Sequence, residues 1–137
     1  MLNPGPYTLS TRSLTTAISG EAQTAVDKLA GILAALLTIQ FAYGSGGTNC
    51  KVYVQVSPNQ GVTWIDVACA VFTTASGTKT FNLSALTPKT TPITPTDGAL
   101  ADDTYVDGIL GSAMRVKITS TGTYGGNTGV FVYLDAK

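Results

Sequence analysis

Apolar and polar residues alternate with period two along several stretches of this chain, a periodicity that predicts strands rather than helices. The clearest run sets Leu37, Ile39, Phe41 and Tyr43 against Thr38, Gln40 and Ala42 and closes on Gly44-Ser45-Gly46-Gly47, which predicts a strand at about 35–43. Two further alternating runs flank Ser57-Pro58-Asn59-Gln60-Gly61 between Cys50 and Phe72. With Asn59 and Gln60 at the turn centre, Val56 faces Thr63, Val54 faces Ile65, Val52 faces Val67 and Cys50 faces Cys69. Tyr53 then meets Asp66, and Gln55 meets Trp64, on the other side of this hairpin. Thr78 to Leu83 reads as another short strand. Near the end, Met114, Val116 and Ile118 alternate with Arg115 and Lys117, and Val130, Val132 and Leu134 answer them across the Gly-rich segment 122–129. Pairing Val116 with Val132 places Arg115 near Tyr133 and Lys117 near Phe131, within cation–π reach.

Elsewhere the pattern is weaker. Leu9, Leu14 and Ile18, scattered among Thr and Ser, suit one or two strands near a sheet edge. Val26, Leu29, Leu33 and Leu36 have helical spacing and Ser19 is a possible cap, but Gly31 argues against a long helix. The expectation is a short helical turn near 27–32 feeding the strand that follows. Pro4, Gly5 and Pro6 make residues 1–7 an extended N-terminal arm, and residues 8–137 a single domain. Within that domain, residues 84–112 form a long connection in which Pro88, Pro92 and Pro95 oppose regular ladder bonding. A connection of this length in a small domain is usually an interaction or functional loop. Seven to nine strands with turn signals between them predict an all-β protein, an antiparallel β-sandwich, with jelly-roll-like topology favoured over immunoglobulin-like.

Composition narrows the chemistry. A chain of 137 residues and 14.1 kDa supports one core, and its 22 Thr and 15 Gly agree with strands and turns. Eight basic and eight acidic residues cancel, so nothing advertises a nucleic acid or an anionic membrane as partner. There is no His, which removes the commonest general base and most zinc sites. No catalytic grouping is visible, and neither metal nor cofactor is expected. Asp97, Asp102, Asp103 and Asp107 are possible oxygen ligands for a hard cation, but their spacing fits no EF-hand loop, and solvated turn carboxylates are the preferred reading. Cys50 and Cys69 would sit roughly 4.5–5.5 Å apart at Cβ in the predicted hairpin, near disulfide geometry. Two reduced thiols filling a core is nonetheless the preferred assignment. Met-Leu-Asn-Pro-Gly-Pro carries no basic region before an apolar core, and the apolar run 29–37 is too short to span a membrane, so synthesis in a cytosol is expected.

Ser57-Pro58-Asn59-Gln60-Gly61-Val62-Thr63-Trp64 resembles the Asp-box pattern Ser-x-Asp-x-Gly-x-Thr-Trp, with Asn59 in the Asp position. In sialidase-type propellers that hairpin is structural and recurs in every blade; a single copy implies no propeller. Together, the Gly-ended strand 37–47, this hairpin, the run Phe81-Asn82-Leu83-Ser84 and the closing Met114-Arg115-Val116-Lys117-Ile118-Thr119 resemble the small β-sandwich structural proteins of tailed bacteriophage virions. The resemblance implies a non-enzymatic part of a virion assembled in the bacterial host cytoplasm, foremost a capsid decoration or cement protein. A neck or tail component is the alternative, and a carbohydrate-binding module using Trp64 with Tyr53 or Tyr105 a second. Its implied partners are the major capsid protein or other virion proteins, and copies of itself in a trimer or hexamer. The residues assigned to partner contacts are Leu2, Pro4, Pro6 and Tyr7 in the arm and Ile93, Tyr105, Val106, Ile109 and Leu110 in the long loop.

Overall fold

A run that is polar at every second position divides between water and a core only as an extended strand. Ala34–Ala42 does so, burying Ala35, Leu37, Ile39 and Phe41 on one side and exposing Gln40 and Ala42 on the other. The computed structural model describes residues 3–137. Among these, the strands are β1 (Gly5–Ser13), β2 (Glu21–Ala22), β3 (Ala34–Ala42), β4 (Ser45–Gly46), β5 (Asn49–Ser57), β6 (Ile65–Phe72), β7 (Gly77–Ser84), β8 (Thr104–Tyr105), β9 (Ala113–Thr121), β10 (Tyr124–Gly125) and β11 (Gly129–Ala136). All are paired antiparallel, and no helix forms among the described residues.

One sheet runs β1-β11-β3-β7 and the other β2-β9-β5-β6-β8, with β4 and β10 forming a small ribbon. The inner faces share one apolar core in a sandwich-like arrangement. Leu37, Ile39, Phe41, Val130, Val132 and Leu134 come from the first sheet, and Val52, Val54, Ala70, Phe72, Val116 and Ile118 from the second. At one end Phe41 stacks on Phe72 at 5.1 Å and meets Tyr124 edge-on at 5.5 Å. The Tyr124 hydroxyl donates to the Thr73 carbonyl at 2.7 Å, and burial pushes its pKa up to about 12. Gly47 (φ +69°) runs so close beneath this ring that a Cβ would lie 2.3 Å from it.

Several expectations are corrected. Residues 27–32 form no helical turn; Val26 bridges to Met114 and the Ile32 N–H donates to the Leu29 carbonyl in a single tight turn. Backbone pairing with β9 claims this segment, overriding its helical spacing. The hairpin register also differs. Cys50 lies opposite Phe72, Val52 opposite Ala70 and Tyr53 opposite Cys69, and a bulge at Val67 shifts the ladder before Gln55 meets Asp66. The two cysteines therefore point to opposite faces of the sheet and are not a cross-strand pair; both are buried and free. Finally, β9 and β11 belong to different sheets, so Val116 and Val132 meet across the core rather than within a ladder. The connection between them is spent on β10, which pairs β4 instead of closing a hairpin. Arg115 accordingly lies over the Trp64 ring at 4.2 Å, and Lys117 pairs with Asp97.

Candidate functional site

The two outer faces of the molecule are treated differently by the chain, and that difference defines the candidate site. The outer face of the five-stranded sheet is covered by its own long loop, held by carboxylates. Asp66 is the anchor. It projects from β6 with 1% exposure, and its Oδ1 accepts from Gln55 Nε2 at 2.8 Å and Gly98 N at 2.9 Å. Its Oδ2 accepts from Thr96 Oγ1, Ala99 N and Leu100 N. Gln55 Oε1 in turn accepts from Arg115 Nε at 2.8 Å, so the buried carboxylate, the buried amide and the half-buried guanidinium form one satisfied network, with the guanidinium over the Trp64 ring.

The remaining loop carboxylates act as clasps along its length. Asp97 takes Lys117 at 2.8 Å, Asp102 takes Lys51 at 2.9 Å, and Asp103 takes Lys79 at 2.7 Å and the Val71 N–H. Asp107 accepts from Ser84 N, Gly108 N and Thr87 Oγ1. Each carboxylate thus has its own partners along the loop, and no group of three metal-ligating side chains occurs among the described residues. Lys117 and Gln55 hold the Asp97 carboxyl below the usual carboxylate range, and the Ser84 N–H does the same for Asp107. For Asp103, partial burial pushes upward, but Lys79 and the Val71 N–H outweigh it. A depressed carboxyl stabilises the fold above its unfolded pKa, about 3.9, and that contribution is lost as pH falls through the folded value. Melting temperature should therefore drop on acidification from about pH 5 to about pH 2; a flat profile there in a thermal denaturation series would show that the clasps contribute nothing.

The thiols are not nucleophiles. Burial pushes Cys50 to about 12 and Cys69 to about 11, so both are protonated at neutral pH.

The outer face of the four-stranded sheet is open. Its outward positions include Thr8 on β1, Phe131 and Tyr133 on β11, Thr38 and Gln40 on β3, and Thr78 and Thr80 on β7, with register pairs Thr8–Tyr133, Tyr133–Thr38 and Thr38–Thr80. Asp135 is the single charge among them. Arg12 and Lys79, the basic residues of these strands, register with Val130 and Ile39 on the inner side and are tied to Glu21 and Asp103.

The contact residues expected from sequence do not form one patch. Leu2 lies outside the described residues. Pro4 and Pro6 are exposed, but Gly5, Pro6 and Tyr7 are the start of β1, paired with Ala136, Asp135 and Leu134, and the Tyr7 hydroxyl donates to the Asn3 carbonyl. Residues 5–7 therefore belong to the sheet rather than to an arm. Ile93 is half-buried. Tyr105 is 56% exposed in β8, at the edge of the five-stranded sheet, and lies against Phe81 of β7. The Val106 N–H donates to the Val67 carbonyl, and Ile109 and Leu110 pack on the core, so these three pin the loop. Asp66 and the open face escape a reading by spacing. A lone acid between Ile65 and Val67 in an apolar strand was the available signal for the first.

Comparison with known protein families finds no family model that matches the chain, and comparison with curated proteins finds no match.

Proposed function

We propose that this chain is a non-enzymatic structural protein of a tailed-phage virion, acting as a decoration or cement protein that bridges capsid subunits. The observation that carries this reading is the asymmetry of the outer faces: one is sealed by the chain's own clasped loop, the other is open, broad and almost uncharged. A reaction site needs a concave, polar pocket with a poised acid, base or nucleophile. A packing part needs rigid, charge-poor faces, and this chain has the latter.

Topology supports the same reading. With β4, β8 and β10 set aside and the equally short β2 kept, the eight strands β1, β2, β3, β5, β6, β7, β9 and β11 counted in chain order place first, eighth, third and sixth in one sheet and second, seventh, fourth and fifth in the other. We infer a jelly roll from that order rather than an immunoglobulin-like sandwich; eight strands in two Greek keys recur in viral shell proteins. Its partners are the major capsid protein or other virion proteins and further copies of itself, in a trimer or hexamer, with neither nucleic acid nor membrane involved. Assembly takes place in the bacterial host cytoplasm. A neck or tail component is the nearest alternative, resting on the same face. The carbohydrate reading loses ground, since Trp64 lies beneath Arg115 and Tyr53 is buried.

A phage deleted for this coding sequence should yield particles lacking one ordered density, and purified protein added back should rebind with saturable stoichiometry. A protein shortened by residues 1–4 should rebind more weakly with its melting temperature unchanged. Particles that keep every density and never take up the protein would overturn the proposal.

A further inference from the structure

We propose that the outer face of the four-stranded sheet is an isologous docking surface for a second copy of this chain. The inference deepens the structural role proposed above and rests on that role for its biological setting alone.

Three observations select the occupant. First, charge: across four strands the outward positions hold Thr, Ser, Gln, Asn, Ala, Pro, Leu36, Phe and Tyr, with Asp135 alone charged and at one end. Such a face offers nothing to pair with a charged partner surface, and covering a partner's unpaired charges against it is unfavourable. The complementary surface must itself be charge-poor, and this chain carries one. Second, place and composition: Tyr133 is 40% exposed on β11, an internal strand of the sheet, with Thr8 and Thr38 beside it. An aromatic side chain flanked by Thr8, Thr38 and Phe131, with the single charge of Asp135 on one side, resembles the centre of a protein interface, where charge is depleted and Tyr is a frequent energetic anchor. Third, area: strands about 4.8 Å apart and about 3.3 Å per residue give this face roughly 500 Å². Two copies stacked sheet on sheet then bury about 1,000 Å², the lower limit of a specific interface. That area predicts a dimer that dissociates on dilution.

The chain's own long loop is not a competing cover, because Asp66, Lys51 and Lys117 hold it on the opposite sheet, and the third clasp, Lys79 of β7, is on the inner side with Ile39. A two-fold contact here uses one face once and closes. It leaves the exposed Pro4 and Tyr105 uncovered for a shell.

Sedimentation equilibrium of the full chain between about 1 µM and about 1 mM tests the proposal. A monomer–dimer equilibrium is expected. Tyr133→Lys should weaken it by about 30-fold or more, as loss of an interface anchor does, with the melting temperature nearly unchanged. Thr38→Lys, a second exposed-side variant, should act in the same direction. Leu86→Lys, at a site 71% exposed in the long loop, should have no effect. A protein that stays monomeric throughout, or an assembly of any order insensitive to both face variants, overturns the assignment. A strict monomer that still enters particles would remove this face and leave the virion role standing. A dimer broken by Tyr133→Lys in a protein that never enters particles would do the reverse.

Discussion

Asp66→Ala should cost about 3 kcal/mol of stability in urea denaturation, far more than loss of any carboxylate of the long loop. The reason is that one buried side chain satisfies five donors at once: two side chains and the backbone N–H groups of Gly98, Ala99 and Leu100. Truncation strands those donors or releases the segment 96–100 into water. The amides of Gly98, Ala99 and Leu100 should then lose most of their protection from hydrogen exchange while the β3 and β11 amides keep theirs. Asp66→Asn separates shape from chemistry. Both carboxylate oxygens accept, so either orientation of an amide aims its NH₂ at donors, and a loss of about 2 kcal/mol is expected. The lysine-paired Asp97, Asp102 and Asp103 are more than half exposed in their side chains and should each matter by less than about 1 kcal/mol. An Asp66→Ala protein within about 1 kcal/mol of the parent, with unchanged exchange, would show that the loop is held by something else.

Phe41→Ala is expected to be the most damaging core truncation, at about 4 kcal/mol, with a fall in melting temperature on the order of 10–15 °C for a domain of this size. Phe41 is 2% exposed and ties three segments together, touching Phe72 across the two sheets, Tyr124 edge-on and Tyr43 at 6.4 Å. The vacated space cannot refill easily. Tyr124 is held by its bond to the Thr73 carbonyl and by Gly47 beneath its ring. Val62→Ala, at a site 82% exposed, serves as the matched truncation and should stay within about 0.5 kcal/mol. Near-equal melting temperatures for the two variants would contradict this account of the aromatic end.

The individual strands were legible because one side of each faces water or a loop and the other the core. β3 and β7 fall within a residue of where alternation puts them, and β9 and β11 contain their alternating runs and extend two to three residues beyond them. Register and partnership were not legible, and β5–β6 shows why. Residues 52–57 are all buried, since the core lies under one side and the clasped loop over the other. Alternation loses its meaning on such a strand. The turn also absorbs more chain than its composition advertises. Ser57 Oγ accepts from the Gly61 N–H at 2.7 Å and Asn59 Oδ1 from the Thr63 N–H at 2.7 Å, stretching the connection to residues 58–64. The bulge at Val67 then shifts the ladder once more. Small residues completed the error: Ala68 and Ala70 face the core, where facing side chains fill the space, while Val71 faces out. Partnership of β9 failed for a different reason. A Gly-rich segment reads locally as a hairpin, and only the other strands of the sandwich reveal that it crosses between sheets. Of the candidate site, the loop and its acids were visible in sequence, but their role as fasteners depends on lysines 20 to 51 residues away.

The placement of the sulfur atoms has a consequence for how the chain must be made. In the native ladder Cys50 and Cys69 are kept apart by the thickness of β5–β6, yet sliding that hairpin by three residues sets them side by side. Under oxidising conditions a transient slip of this kind has a covalent trap waiting for it, and once bridged the hairpin is no longer able to return to its proper alignment. Reductant during expression and refolding is thus a proofreading agent for strand alignment here, and a batch prepared without it should carry a bridged, misaligned fraction that heating alone does not rescue.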